Sequence, residues 1–62
     1  MSPKLIDAQT VATLLDEPVR QVRERITRLP TFPKPYRLGG VGHKKWDQGE
    51  VLRWLEQQRE TV

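Results

Sequence analysis

One stretch in the middle of the chain limits what these 62 residues can fold into. Three prolines occupy six positions from Pro30 to Pro35, and three glycines occupy four positions from Gly39 to Gly42. Proline fixes φ and restricts the residue before it, so a helix cannot run through this stretch. The glycines permit the positive φ values that tight turns need. The chain is therefore divided into an N-terminal and a C-terminal helical part, joined by a stiff strap and a turn.

A short first helix is predicted between Asp7 and Asp16. Asp7 can cap it by accepting a backbone N–H, and Leu5 or Ile6 can supply the apolar residue that packs back onto its first turns. Apolar residues recur inside it at helical spacing, at Val11, Leu14 and Leu15. These features predict a helix that is buried on one face.

A second helix is predicted from Glu17 to Leu29, with Pro18 in its first turn and Pro30 at its end. Its apolar stripe consists of Val19, Val22, Ile26 and Leu29. On the opposite face lie Arg20, Glu24 and Thr27, with Arg23 at the edge of that face. Two short helices joined by a tight turn, with a basic outer face on the second, are typical of a helix-turn-helix.

The proline-rich strap predicts Phe32 as an anchor in the core. "YRL" and "KKW" are short strand candidates around "GGVGH", and Trp46 is expected to point inward. Such a hairpin is either a structural element that closes the core or a wing, a basic tip laid along DNA. The tip is charged and is expected to carry no bulky apolar side chain, which favours the wing.

A third helix is predicted after Asp47, which has the spacing of a capping box with Glu50. Val51, Trp54 and Leu55 follow at helical spacing, so Trp54 is assigned to the core rather than to a partner. Together these elements predict an α+β, mostly α, single domain over residues 1–62, with its core at about 5–56. The expected architecture is a small winged helix-turn-helix with three short helices and a two-stranded β-hairpin.

Composition excludes several classes of protein. The chain has no cysteine and one histidine, His43, so we expect no disulfide, no metal site and no cofactor. So short a chain has little room for a catalytic pocket, which argues against an enzyme. The longest apolar run is two residues and the N-terminus lacks the pattern of a signal peptide, so we expect a soluble, cytoplasmic protein without membrane contact.

The charge is unevenly distributed along the chain. Residues 18–45 contain eight Lys or Arg and one Glu, which gives a net charge of +7. The other residues contain three Lys or Arg and seven Asp or Glu, which gives a net charge of −4. A solvated charged surface is the simpler explanation for scattered charges. A segment this basic between acidic ends instead favours nucleic acid as the partner.

Several motifs in this order resemble the AlpA-type and phage excisionase proteins, which are small MerR-like winged-helix DNA binders. The resemblance covers about residues 5–56. The motifs that carry it are Phe32-Pro33-Lys34-Pro35, Arg37-Leu38-Gly39-Gly40, Lys45-Trp46, and Glu50-Val51 with Trp54-Leu55. In that family the second helix enters the major groove and the wing contacts the neighbouring minor groove or its backbone.

The resemblance implies two groups of DNA-binding residues. The recognition helix would contribute Arg20, Arg23, Glu24 and Thr27. The wing and the backbone contacts would come from Lys34, Arg37, His43 and Lys44.

The sequence departs from the family pattern at three places. The turn Asp16-Glu17-Pro18-Val19 replaces the usual Gly, apolar, Ser and basic residues. Glu24 replaces a second basic residue that is common on the recognition helix. The segment between Gly40 and Trp46 is about one residue longer than usual.

The resemblance implies an excisionase, an accessory protein that bends double-stranded DNA beside an attachment site and favours excision by a tyrosine integrase. A lone domain of this size would bind one site weakly, so copies of the protein on adjacent DNA sites are further expected partners. Protein that is bound to DNA would be associated with the nucleoid. The alternatives are an AlpA-like regulator that binds a promoter and, in a different class, a protein-binding adaptor or anti-repressor. The sequence does not distinguish among these three functions.

Overall fold

The computed structural model describes residues 4–40 and 42–60. Over these residues the chain is an α+β, mostly helical structure with three α-helices and a two-stranded antiparallel sheet. The elements are β1 (Leu5–Ile6), α1 (Ala8–Leu15), α2 (Val19–Glu24), β2 (Trp46–Asp47) and α3 (Gln48–Gln57), with 3₁₀ turns at Ile26–Arg28 and Leu38–Gly40. Every helix in this part of the chain is too short or too polar to span a bilayer.

The two ends of α1 confirm the boundaries expected from the sequence. The side chain of Asp7 accepts a hydrogen bond from the Thr10 N–H at 2.8 Å, which caps the first turn. At the other end Asp16 adopts a left-handed conformation with φ 54°. The N–H groups of Asp16 and Glu17 then donate to the Thr13 and Ala12 carbonyls, at 3.3 and 3.0 Å. This Schellman pattern turns the chain into α2 within three residues.

Replacing Asp16 with glycine is expected to stabilise the domain by about 1 kcal/mol. Glycine adopts the left-handed conformation without a steric clash of Cβ, and the substitution removes a carboxylate from the negative end of the α1 dipole. The melting temperature measured by circular dichroism should rise by about 4–8 °C. Asp16→Ala removes the same charge but keeps a Cβ, so it should remain less stable than the glycine variant. Equal melting temperatures for the two variants would show that the charge, and not the backbone, accounts for the effect.

The second helix is shorter than the sequence predicts. α2 ends at Glu24 because Arg25 leaves helical geometry, with φ −126° and ψ −57°, and a 3₁₀ turn follows. The Thr27 hydroxyl donates to the Arg23 carbonyl at 3.3 Å, the acceptor that its backbone N–H would use in a continuous α-helix. Two consecutive β-branched residues, Ile26 and Thr27, further disfavour an α-helix here.

Because α2 ends at Glu24, the residues that follow it do not all continue the helix faces predicted from the sequence. Val22 is fully buried and Ile26 is half-buried, as the predicted stripe requires, but Leu29 is 44% exposed. Thr27 belongs to the 3₁₀ turn and is half-buried. The prediction that Thr27 shares an outer helix face with Arg20 and Glu24 is therefore wrong.

The sheet joins the beginning of the chain to the residues that precede α3. Leu5 is opposite Asp47 and Ile6 is opposite Trp46, in an antiparallel register. The Gln48 N–H extends the ladder by donating to the Lys4 carbonyl at 2.9 Å. The N-terminal segment is thereby held against the start of α3.

The predicted hairpin is present but very short. The two strand candidates pair through a single antiparallel bridge, in which Tyr36 and Lys45 exchange hydrogen bonds of 2.6 and 2.8 Å. Residues 37–44 then form a loop, here called the basic loop, of which Val41 lies outside the described residues. Lys45 consequently pairs with Tyr36, and the next two residues, Trp46 and Asp47, pair with β1.

The core is built around the three aromatic residues that the sequence assigned to it. Phe32, Trp46 and Trp54 are all buried, and the Phe32 ring makes edge contacts with both indoles, at centroid distances of 6.2 Å to Trp46 and 4.9 Å to Trp54. The buried aliphatic residues around them are Ile6, Val11, Ala12, Val22 and Val51. The proline strap therefore carries the residue that links α3 to the sheet.

Polar contacts orient α3 within this core. The side chain of Asp47 caps the helix by accepting from the Gly49 N–H at 3.0 Å, so the cap reaches Gly49 rather than the Glu50 N–H that a capping box uses. The Trp54 indole N–H donates to the Thr31 hydroxyl at 3.1 Å. The Trp46 indole N–H has no partner among the described residues, so Trp46 contributes by packing.

Candidate nucleic-acid interface

The outer face of α2 carries exposed charged side chains. Arg20, Arg23 and Glu24 are all exposed. The Arg20 Nε and the Glu24 Oε2 form an ion pair of 3.0 Å, and these two side chains are 85% and 57% exposed. An exposed pair one helical turn apart contributes only about 0.3–0.5 kcal/mol, so an anionic ligand can displace Glu24 at little cost. Arg23 takes part in neither of the two side-chain ion pairs found among the described residues.

Arg23 instead faces a cleft between α2 and the basic loop, here called the helix–loop cleft. The cleft has a volume of about 360 Å³, and it is lined by Ala8, Arg23, Thr27, His43, Lys44 and Trp46. A smaller groove beside it, of about 190 Å³, shares Arg23 and His43 and adds Asp7, Gln9 and Lys45. The first turn of α1, the end of α2 and the returning arm of the loop therefore meet at one place.

The helix–loop cleft and its adjoining groove have an excess of positive charge. Arg23, Lys44 and Lys45 supply three cations around His43, against the one carboxylate of Asp7. The hydrogen bond from the Thr10 N–H holds the pKa of Asp7 below its usual range, and the nearby charge of Lys45 lowers it further. Asp7 is thus an anion at neutral pH, already engaged as the cap of α1.

This arrangement suits an anionic ligand with several oxygen atoms. Arg and Lys side chains have only donors, and Arg can present two parallel N–H groups to a phosphate or to the edge of a guanine. The hydroxyl of Thr27 is partly occupied by its bond to the Arg23 carbonyl. Among the described residues, no group of three His, Asp or Glu side chains lies close enough together to hold a metal ion.

Four of the eight residues proposed from the sequence converge in the helix–loop cleft, namely Arg23, Thr27, His43 and Lys44. The other four do not line it. Arg20 and Glu24 are engaged with each other on the outer face of α2. Lys34 is exposed on the strap, and Arg37 is exposed where the basic loop begins. These four residues can extend a contact surface beyond the cleft but do not form part of its lining.

Sequence reasoning missed several residues beside the cleft. Lys45 was counted among the basic residues without a role, although it faces the same groove as Arg23. Gln9 and the cap residue Asp7 also line this groove, and no sequence signal links the start of α1 to the basic loop. Only the pairing of β1 with β2 brings these two parts of the chain together.

The expectation that the loop tip lacks a bulky apolar side chain is wrong. Leu38 was predicted to lie in a short strand rather than in the loop. Because strand pairing ends at Tyr36 and Lys45, Leu38 falls in the loop and is 64% exposed.

We compared the chain with protein-family models, with curated proteins and with solved structures, and none of these comparisons yields a match.

Proposed function

We propose that this protein is a sequence-specific binder of double-stranded DNA with a winged helix-turn-helix fold. One observation carries the proposal: Arg23 from α2 meets His43 and Lys44 from the basic loop in a single cleft with excess positive charge. A helix and a loop that present cations to the same ligand are what a groove-binding helix with a neighbouring wing requires. The acid-free run from Arg25 to Trp46 supports a polyanionic partner further.

The roles of the residues follow from their chemistry and position. Arg23 is the proposed reader of a base, because its guanidinium can pair with guanine O6 and N7. Lys34 and Lys44 are the proposed phosphate contacts, since an ammonium group acts as a point charge without a preferred base. Arg20 joins the contact surface once DNA displaces Glu24 from it.

The test of DNA binding is the dependence of affinity on salt. If the protein neutralises five or six phosphates, log K should fall with log salt concentration with a slope of about −5. Fluorescence anisotropy with a labelled random duplex at several salt concentrations measures this slope. A protein-binding adaptor, the alternative in a different class, should show no such binding. A flat salt dependence would therefore exclude DNA as the partner.

Within this function we propose the role of an excisionase that bends DNA beside an attachment site and assists a tyrosine integrase. The resemblance of the ordered motifs supports this role. The small contact surface also supports it, because one six-residue helix and one loop cover few base pairs. Specificity then requires several copies on adjacent sites, each raising the effective concentration of the next.

Tandem sites distinguish this role from that of a promoter-binding regulator. We expect a monomer in free solution that binds two or three adjacent sites with increasing affinity per site. Sedimentation of the free protein and gel-shift titrations on one, two and three sites measure both properties. A stable free dimer, or the same affinity per site whatever their number, would favour the regulator instead.

A further inference from the structure

Leu38 is the most exposed large apolar side chain of the described residues. It is 64% exposed, whereas Leu29, Tyr36, Leu52 and Leu55 are 38–44% exposed. A single exposed leucine is common on protein surfaces. The position of this one, within a projecting and positively charged loop, requires an explanation.

The basic loop projects from a rigid base. Pro33 and Pro35 stiffen the strap that leads into it, and the bridge between Tyr36 and Lys45 joins its two ends. Past Leu38 the chain reverses through glycines with positive φ, including Gly39 at 66°. A Cβ atom added at Gly39, Gly40 or Gly42 would meet no atom of the described residues within 4 Å, so these three positions of the loop are surrounded by open space.

The surroundings of Leu38 are cationic. Arg37 precedes it, His43 and Lys44 lie on the returning arm, and no acidic residue occurs from Arg25 to Trp46. An apolar pocket on a protein partner would not require this charge. The minor groove of DNA does, because phosphates line its rim while stacked bases lie inside, and apolar side chains of architectural proteins enter between those bases.

We propose that Leu38 is an apolar wedge that enters the DNA minor groove and partly unstacks one base step. Arg37 and Lys44 bind the phosphates on either side while Leu38 contacts the bases. This inference rests on the proposed DNA binding and assigns the bending of the DNA to one side chain. The wedge favours a TA or CA/TG step, since pyrimidine–purine steps are the easiest to kink, and so adds sequence preference without a hydrogen bond.

Leu38→Ala tests the proposal, with Leu52→Ala as the matched control. Leu52 is also exposed, but it lies on α3 and lines neither the helix–loop cleft nor its adjoining groove. Neither substitution should change the melting temperature. The probe is a duplex selected from a random pool by the wild-type protein, with 2-aminopurine at its pyrimidine–purine step and a pair of fluorophores at its ends. The aminopurine signal reports unstacking, and energy transfer between the fluorophores reports bending.

The expected result is specific to Leu38. Wild-type protein and Leu52→Ala should raise the aminopurine fluorescence and shorten the end-to-end distance. Leu38→Ala should do neither and should bind roughly 10-fold more weakly, the scale expected when a leucine that is buried on binding is truncated. The slope of log K against log salt should not change, because leucine neutralises no phosphate.

Other outcomes separate the wedge from the DNA binding on which it rests. If Leu38→Ala binds and bends the duplex as the wild type does, the wedge is refuted while DNA binding stands. Equal losses for Leu38→Ala and Leu52→Ala would also refute it. If the wild-type protein shows no salt-dependent binding to duplex DNA, both proposals fail.

Discussion

Replacing Phe32 with alanine is expected to unfold most of the domain at room temperature. The Phe32 ring is buried between Trp46 and Trp54, at centroid distances of 6.2 and 4.9 Å, so its removal leaves a cavity at the point where the strap, the sheet and α3 meet. Truncation of a buried phenylalanine costs about 3–5 kcal/mol. A domain of this size rarely has more than about 3–5 kcal/mol of stability in total.

Urea and thermal denaturation followed by far-ultraviolet circular dichroism measure the loss of stability. Leu55→Ala, which truncates a residue of α3 that is 38% exposed, is the matched control and should retain a cooperative transition near that of the wild type. A Phe32→Ala variant that melts at the wild-type temperature would show that the strap does not hold the core together. The strap would then be better explained as a binding surface for a partner.

The second large effect is expected on DNA specificity. Arg23→Ala should reduce the preference for the selected duplex over random DNA by roughly 5- to 150-fold, the equivalent of the 1–3 kcal/mol that a bidentate contact to a base contributes. Arg23 is exposed, so the variant should fold normally. Competition titrations with selected and random duplexes at one fixed salt concentration measure this preference.

Two further variants separate the reading of bases from the binding of phosphate. Lys44→Ala should weaken binding to both duplexes alike and make the salt slope shallower by about 1. Arg53→Ala removes the same charge as Arg23→Ala from a groove between the strap and α3, away from the helix–loop cleft, and should affect neither measurement strongly. Equal losses on selected and random DNA for the Arg23 and Lys44 variants would mean that α2 does not read the sequence.

The features that were predictable from the sequence depend on interactions between near neighbours. Asp7 caps α1 through an N–H three residues away, and Asp16 ends this helix through bonds within the same turn. The spacing of apolar residues and the positions of the prolines likewise identified Phe32 and Trp54 as core residues. Such signals can be read locally because helix geometry brings residues three and four apart into contact.

The tertiary structure decided what depends on residues far apart in the chain. The pairing of Trp46 with Ile6 joins residues that are 40 positions apart in the sequence, and short apolar segments do not specify which partner they pair with. This pairing places the start of α1 beside the basic loop. The sequence by itself determined that the chain has a basic segment and a folded core. Packing between distant segments determined which of its charged side chains meet, because two short strands are only marginally stable until they pack against helices.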